Sequence, residues 1–182
     1  MSYATPLVTA EELERLPEDE YRYELVEGRL IRMSPVAPLH GSLAATFIML
    51  LTQHVKAHKL GAVGTEVGFK LASNPDTVRA PDVSFIRRER IAPTGFRKGF
   101  WQGSPDLAVE VLSPDDSPSE IQTKVEEYLR SGSLAVLIVD PDDESVGIHR
   151  RLAVPVKRTR EDVLDLDDIV PGFCCRVRDI FE

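Results

Sequence analysis

Two acidic residues interrupt apolar, strand-like segments of this 182-residue chain and could together form a metal site. Asp82 stands near the start of the apolar part of VRAPDVSFI (78–86), and Glu110 lies in the middle of DLAVEVLS (106–113). Because side chains alternate between the two faces of a strand, Glu110 lies on one face and its immediate apolar neighbours lie on the other. If the two strands are neighbours, we expect both carboxylates to converge at the rim of one sheet.

A divalent cation would make such an acid pair chemically useful. Two carboxylates in a partly apolar cleft repel each other and are poorly solvated, and a bound cation removes both problems. Oxygen ligands that leave room for water suit Mg²⁺ or Mn²⁺ better than zinc. The pair therefore indicates a metal site with Asp82 and Glu110 as ligands. The alternative is structural: Asp82 could cap a turn after Pro81, and Glu110 could pair with an arginine.

A lysine on the following helix extends this set. The segment SPSE (117–120) supplies an N-cap serine, a proline at the first helical position and the glutamate of a capping box, so it predicts a helix over 117–131. At about 100° per residue, Lys124 lies at the edge of the apolar stripe of that helix. Lys124 could orient a water or offset charge during phosphodiester hydrolysis. It could instead extend its ammonium to solvent.

Hydrophobic periodicity predicts the elements that position these residues. They are a short helix at 9–16, a hairpin at 21–34 turning at Glu27-Gly28, a helix at 40–59, strands at 62–72, 82–86 and 106–113, the helix at 117–131, a central strand at 134–141, and two edge strands at 145–152 and 154–160. This order indicates an α/β fold with a mixed β-sheet rather than a doubly wound parallel sheet. With no repeat or linker, we expect a single domain over 1–182.

The composition is that of a soluble globular protein, with 42% apolar and 29% charged residues. No run approaches the roughly 18 apolar residues that a membrane helix needs, and the acidic N-terminus lacks the pattern of a secretion signal, so we expect a cytoplasmic protein.

Cys174 and Cys175 are adjacent, which argues against a disulfide scaffold or a cysteine zinc site and favours buried packing residues. His54 and His58 have ligand-like spacing, but a solvated helix face is the favoured interpretation.

Charge limits the partners. A net charge of −8 argues against a broad basic surface for nucleic acid but allows a local one. The segment RRERIAPTGFRKGF (87–100) is the favoured contact to phosphate, and its candidate residues are Arg87, Arg88, Arg97 and Lys98. The alternative interpretation is a solvated loop.

These motifs carry a resemblance. The dipeptide PD at 81–82, followed by a glutamate in a strand, resembles the PD-(D/E)xK nuclease superfamily. More narrowly, the chain resembles the Uma2 family of endonuclease-like proteins, also named DUF820. The segments that carry this resemblance cover nearly the whole chain: YELVEGRLIRMSP (23–35), His40, RAPDVSFI (79–86), SPDLAVEVLSP (104–114), KVEEY (124–128), VDP (139–141) and VPGFCCRVRDIF (170–181).

The resemblance implies a restriction-endonuclease-like core and a DNA endonuclease dependent on Mg²⁺ (or Mn²⁺), held by Asp82 and Glu110. The superfamily lysine should stand two residues after the glutamate, where this chain has Leu112. In relatives of this kind the lysine has moved to the following helix, which matches Lys124.

Two further positions match the family pattern. Glu24 either supports the site or pairs with an arginine, and His40 either lies near the site or caps its helix. Two functions remain open at this stage: an active endonuclease, which could act as a homodimer to cut two strands, or an inactive nuclease-like fold that binds nucleic acid or protein.

Overall fold

The computed structural model describes residues 6–17 and 21–182. Its helices are α1 (Ala10–Leu13), α2 (Pro38–His58), α3 (Pro118–Ser131) and α4 (Arg178–Phe181). Its strands are β1 (Arg22–Val26), β2 (Arg29–Met33), β3 (Gly61–Gly64), β4 (Phe69–Ala72), β5 (Thr77–Arg79), β6 (Val83–Arg87), β7 (Trp101–Gln102), β8 (Leu107–Val111), β9 (Ala135–Asp140), β10 (Ser145–His149), β11 (Val156–Arg158), β12 (Val163–Asp165) and β13 (Cys174–Arg176).

The main sheet has six strands in the order β11-β10-β9-β8-β6-β3. β8 and β9 are parallel, whereas the other neighbouring strands are antiparallel, so the sheet is mixed. The long crossover that a parallel pair requires is supplied by α3. β10 lies inside the sheet and not at its edge, so the prediction of two edge strands holds only for β11.

A second sheet, with five strands in the order β2-β1-β5-β4-β7, contains the N-terminal hairpin. The β1–β2 hairpin turns at Glu27 and Gly28, as predicted, and both residues have positive φ values of 48° and 74°. In a two-residue hairpin, positive φ values at both turn residues give a twist that matches the twist of the flanking strands. The short helix α1 begins at the N-cap Thr9, whose capping box with Glu12 is present.

Helices cover both faces of the main sheet. Along β8, alternate residues point to opposite sides: Leu107 and Val109 join the core beneath α2, whereas Ala108 joins the core beneath α3. α2 contributes one buried stripe to its side, made of Leu43, Phe47, Leu51 and Val55. α3 contributes Val125 and Tyr128 to the other. This alternation is the one predicted for 106–113, and it directs Glu110 towards α3.

The predicted strand at 62–72 is wrong, because the structure divides it into β3 and β4, which belong to different sheets. The chain turns between them at Glu66, where φ is 53°. Thr65 Oγ1 donates to the Asp82 carbonyl at 2.8 Å, and the Glu66 N–H donates to the Pro81 carbonyl at 3.1 Å. The turn therefore supports the backbone that presents Asp82.

The two cysteines differ in exposure. Cys175 is half-buried and packs against the core, but Cys174 is exposed, so the prediction of two buried cysteines is wrong for Cys174. Across the described residues, no helix combines the length and apolar character that crossing a bilayer requires.

Candidate active site

Asp82 and Glu110 lie at neighbouring positions at one end of β6 and β8. The two strands are antiparallel with Val83 opposite Val109. One position further along, Asp82 therefore comes opposite Glu110. The Asp82 carboxylate is fixed at this rim because its Oδ2 accepts a hydrogen bond from the Val111 N–H at 2.7 Å. The structure thus shows the convergence that strand alternation predicts.

Glu110 is a buried carboxylate with a hydrogen bond to each oxygen. Its Oε1 accepts from the Tyr128 hydroxyl and its Oε2 accepts from Lys124 Nζ, both at 3.0 Å. Burial raises the pKa of Glu110 to about 7, and the Lys124 ammonium opposes that rise. The nearby carboxylates of Asp82 and Glu24 add to it. Glu110 therefore occupies a place where negative charge is costly and where a cation would lower that cost.

The start of α3 places Lys124. Ser117 and Glu120 form the predicted capping box, and Pro118 is the first helical residue. This start sets the helix so that Lys124 and Tyr128, one turn apart, reach the same carboxylate. Burial alone would lower the pKa of Lys124, but the carboxylates of Glu110 and Glu24 outweigh it and raise the pKa above its ordinary value. The lysine is therefore an ammonium at physiological pH.

Glu24 pairs with an arginine and also lies close to Glu110. Arg79 Nη1 donates to Glu24 Oε2 at 2.7 Å, and the Ala80 N–H donates to Glu24 Oε1 at 3.0 Å. Arg79 Nε also donates to Glu127 Oε2 at 2.6 Å. Burial opposes the charge of Arg79, but the two carboxylates raise its pKa. The arginine thus joins β1, β5 and α3 beside the acid pair.

His40 contacts Asp82 and is not a helix cap. α2 begins at Pro38 after the N-cap Ala37, which makes no side-chain capping bond. His40 is nearly buried, and its Nε2 lies 3.2 Å from Asp82 Oδ2. This hydrogen bond raises the pKa of His40, although burial opposes it. Its Nδ1 is buried without a hydrogen-bond partner among the described residues.

The basic segment at 87–98 lies at the other end of β6. Asp82 and Arg87 are five positions apart, or about 16 Å at roughly 3.3 Å per residue. Arg87 donates to the carbonyls of Ile169 and Asp168 at 3.1 and 2.7 Å, so its guanidinium ties the main sheet to the C-terminal segment. The prediction that Arg87 contacts phosphate does not fit this role. Arg88 and Lys98 are exposed, as is Arg97.

His54 and His58, on the exposed side of α2, contact backbone carbonyls. His54 Nε2 contacts the Pro171 carbonyl at 2.9 Å, and His58 Nδ1 contacts the His54 carbonyl at 3.0 Å. Across residues 6–17 and 21–182, no group of three or more histidine, cysteine, aspartate or glutamate residues has a metal-ligand arrangement. A metal at the acid pair would therefore have two carboxylate ligands and would complete its coordination with water or substrate oxygens.

Sequence reasoning did not assign two of the residues that organise this site. The Tyr128 hydroxyl, for which the sequence predicts no role, donates a hydrogen bond to Glu110. Arg79 was not singled out, although a buried acid at position 24 requires a partner. A useful signal is the arginine three residues before Asp82 in RAPD, because it lies on the segment that leads into the site.

Comparison with known proteins places the chain in a family. The family model described as "Uma2: Putative restriction endonuclease" matches residues 10–178. The chain belongs to the Uma2 family. No curated protein matches it.

A crystal structure of a "putative nuclease belonging to DUF820" from Anabaena variabilis ATCC 29413 is similar to the chain, with a TM-score of 0.84 and 21% sequence identity. The match covers 96% of this chain and 97% of that one. At this identity the likeness concerns the fold alone. It confirms the predicted α/β fold, with mixed sheets flanked by helices.

Proposed function

We propose that this Uma2 protein is a divalent-metal-dependent endonuclease that hydrolyses phosphodiester bonds in DNA. The observation that supports the proposal best is the grouping of Asp82, Glu110 and Lys124 at one rim of the main sheet, with Lys124 Nζ 3.0 Å from Glu110 Oε2. The family description, a restriction endonuclease, supports the choice of DNA as substrate.

The residues present fit Mg²⁺ or Mn²⁺. Both ions prefer oxygen ligands, and Mg²⁺ commonly binds one or two carboxylates while it keeps several waters. The second oxygen of Asp82, Oδ1, makes no hydrogen bond to the described residues, and each Glu110 oxygen accepts one bond although it can accept two. The raised pKa of Glu110 supports the same conclusion, because a cation would stabilise its ionised form.

Each protein group then has a distinct task. A bound divalent ion would polarise a phosphoryl oxygen and lower the pKa of a water. Lys124 would stabilise charge on the phosphate or orient the attacking water, and as an ammonium it donates hydrogen bonds and does not accept a proton. Tyr128 and His40 would hold Glu110 and Asp82 in position through the hydrogen bonds already described.

The main alternative is a nuclease-like fold that binds nucleic acid or protein without turnover. Leu112 at the usual lysine position and the net charge of −8 favour this alternative. Lys124 favours the enzyme, because it supplies the ammonium from α3 directly to Glu110. Function as a homodimer and location in the cytoplasm remain predictions.

The decisive experiment measures nicking of supercoiled plasmid DNA with Mg²⁺, with Mn²⁺ and with EDTA. The wild-type protein should nick the plasmid only with metal. Asp82→Asn should lose nicking and should bind Mn²⁺ more weakly by calorimetry, because a neutral amide replaces an anionic ligand. Equal Mn²⁺ affinity in both proteins would remove Asp82 from the site. Absence of nicking by the wild type with either metal would favour the binding protein.

A further inference from the structure

A cavity of about 460 Å³ opens on the same face of the main sheet as Glu110. Its floor is made by β3 and β6, where Ala62, Gly64, Ser84 and Ile86 line it. The loop after β6 and the short strand β7 make its walls. Cavities of this size are common sites for small ligands or single chemical groups.

The floor of the cavity is close to the acid pair. Ser84 lies directly opposite Ala108 in the β6–β8 register, and Glu110 is two residues further on the same face. In antiparallel strands such diagonal neighbours are about 7–8 Å apart. A chain bound with its scissile phosphate at Asp82 and Glu110 could therefore place an adjacent group in the cavity.

The walls combine aromatic rings with cations. Trp101 and Phe96 lie edge to face, with ring centroids 6.1 Å apart, and the Arg90 guanidinium lies 5.8 Å from the centre of the Trp101 ring. Phe96 is 60% exposed. The Trp101 indole N–H is buried without a hydrogen-bond partner among the described residues. A neighbouring phenylalanine, Phe100, also lines the cavity.

The two arginines of the cavity have different roles. Arg90 pairs with Asp106 at 3.0 Å and donates to the Ser104 carbonyl at 2.8 Å, so it belongs to the wall. Arg97 also lines the cavity, and within the described part of the chain it forms no ion pair or hydrogen bond. A cation without an internal partner beside the exposed ring of Phe96 suits a ligand that has both a flat ring and a negative charge.

We propose that this cavity holds an unpaired nucleobase of the substrate strand, stacked on Phe96 and beside Trp101, while Arg97 contacts a neighbouring phosphate. This inference rests on the proposed function and narrows its substrate to DNA with at least one unpaired base beside the scissile phosphate, as in the locally unpaired stretches of a negatively supercoiled plasmid. Stacking on aromatic side chains is the recurrent way in which proteins hold unpaired bases, and it tolerates different sequences. Bases in an intact duplex are stacked on each other and do not reach such a cavity.

Trp101 provides the probe, because it is the single tryptophan of the chain. In EDTA, a single-stranded octanucleotide of mixed sequence should quench its fluorescence. An octamer of abasic spacers with the same number of phosphates should bind about tenfold or more weakly and leave the fluorescence unchanged. A fully paired hairpin duplex should also give little quenching. Equal affinity for the two octamers, binding without quenching, or no binding of either would overturn the inference.

Variants separate ring from charge. With labelled octanucleotides and anisotropy, Phe96→Ala should weaken binding of the base-containing octamer about tenfold and leave the abasic octamer unaffected. Arg97→Ala should weaken both octamers and reduce the salt dependence of binding. The matched controls are Leu152→Ala and Arg151→Ala, since Leu152 is fully exposed and both residues follow β10, on the far side of the main sheet from β3. An equal effect of Phe96→Ala and Leu152→Ala would also overturn the inference.

The outcomes also distinguish this inference from the proposed function. If metal-dependent nicking is lost in Asp82→Asn but the two octamers bind equally, the proposed nuclease activity is supported and the proposed base binding is contradicted. If the base-containing octamer binds preferentially but no protein nicks DNA with any metal, base binding is supported and nuclease activity is contradicted.

Discussion

Asp106 and Glu110 are two buried acids four residues apart on the same face of the main sheet, and their surroundings are opposite. The Asp106 carboxylate accepts the Arg87 N–H at 2.8 Å and pairs with Arg90 Nη1 at 3.0 Å. Glu110 accepts hydrogen bonds from the Lys124 ammonium and the Tyr128 hydroxyl. Two further carboxylates, those of Asp82 and Glu24, lie near it. Asp106 is thus balanced within the chain, whereas the charge of Glu110 remains costly.

This difference separates an acid that holds the fold from an acid that is suited to bind a cation. An acid whose charge is paired within the chain, such as Asp106 with Arg90, does not require a bound cation. Its ion pair connects two segments, here β8 and the turn after β6. Carboxylates crowded in a partly buried place carry unfavourable energy that a cation from outside can relieve. Perturbed carboxyl groups of this kind are frequent at functional sites, although structural networks also produce them.

The largest expected effect comes from neutralising each acid in turn. Glu110→Gln should reduce nicking by about 10³-fold, at the upper end of the loss from removing one preorganised electrostatic contact. Asp106→Asn should keep the nicking rate of the folded protein but lower its free energy of unfolding by about 1–3 kcal/mol, because Arg90 loses its charged partner. Plasmid nicking and urea unfolding of both variants provide the measurements. A similar loss of nicking in the two variants would erase the distinction.

The next effect tests the Lys124 ammonium beside Glu110, whose counterpart at Asp106 is the Arg90 guanidinium. Lys124→Ala should retain α3, because alanine is the better helix former, and should lower turnover by about 10²-fold if the ammonium stabilises the reacting phosphate. Mn²⁺ affinity, measured by calorimetry, should change little, since both carboxylates remain. Nicking at the wild-type rate would make Lys124 a structural residue only.

A second substitution sharpens this test. Leu112 packs at the edge of the apolar cluster beneath α3, on the same face of the strand as Glu110. Leu112→Lys in the Lys124→Ala background should therefore return an ammonium to the site and restore part of the nicking. Leu112→Met in the same background is the matched control, because it adds length without charge. Recovery in the methionine variant would show that charge is not what position 112 supplies.

Local patterns were sufficient for the residues that lie on regular elements. Strand alternation placed Glu110 on the strand face opposite to that of its immediate apolar neighbours. The capping box predicted the start of α3, and a rotation of about 100° per residue placed Lys124 at the edge of the apolar stripe of that helix. Each inference needs only the period of one element. The resemblance to a nuclease family added Glu24 and His40, which periodicity alone does not select.

Contacts between distant segments could not be predicted in this way. Arg79 joins Glu24 and Glu127, which are 55 and 48 residues away along the chain, and no local pattern encodes such a pairing. The alternation of 62–72 was regular but continued through a turn at Glu66, so it predicted one strand where two sheets meet. The cavity beside the site also arises from loop and sheet together and has no sequence signature of its own.

A different kind of effect concerns pH and stability in the absence of metal. In the folded protein the pKa of Glu110 is raised from 4.5 to about 7, so the unfolded state loses this proton first as the pH rises. The contribution of Glu110 to the free energy of unfolding is present below pH 4.5 and disappears between pH 4.5 and 7. The loss is about 3 kcal/mol at most. Urea unfolding in EDTA should show this decline in the wild type and not in Glu110→Gln. Asp106→Asn should retain it, and a flat wild-type profile would contradict the origin given for Glu110.

The smallest expected effect comes from the histidine that holds Asp82. His40 Nε2 lies 3.2 Å from Asp82 Oδ2, so His40→Ala should leave this carboxylate less firmly held and weaken Mn²⁺ binding about tenfold, the lower end for losing a group that orients a metal ligand. His40→Gln keeps a donor and should lose less. His54→Ala is the matched control, because His54 lies on the same helix and contacts the Pro171 carbonyl instead. Calorimetry at pH 7.5 measures all three affinities. If His40→Ala and His54→Ala bind Mn²⁺ equally well, His40 only packs beside Asp82, and the hydrogen bond has no part in preparing the acid pair for a cation.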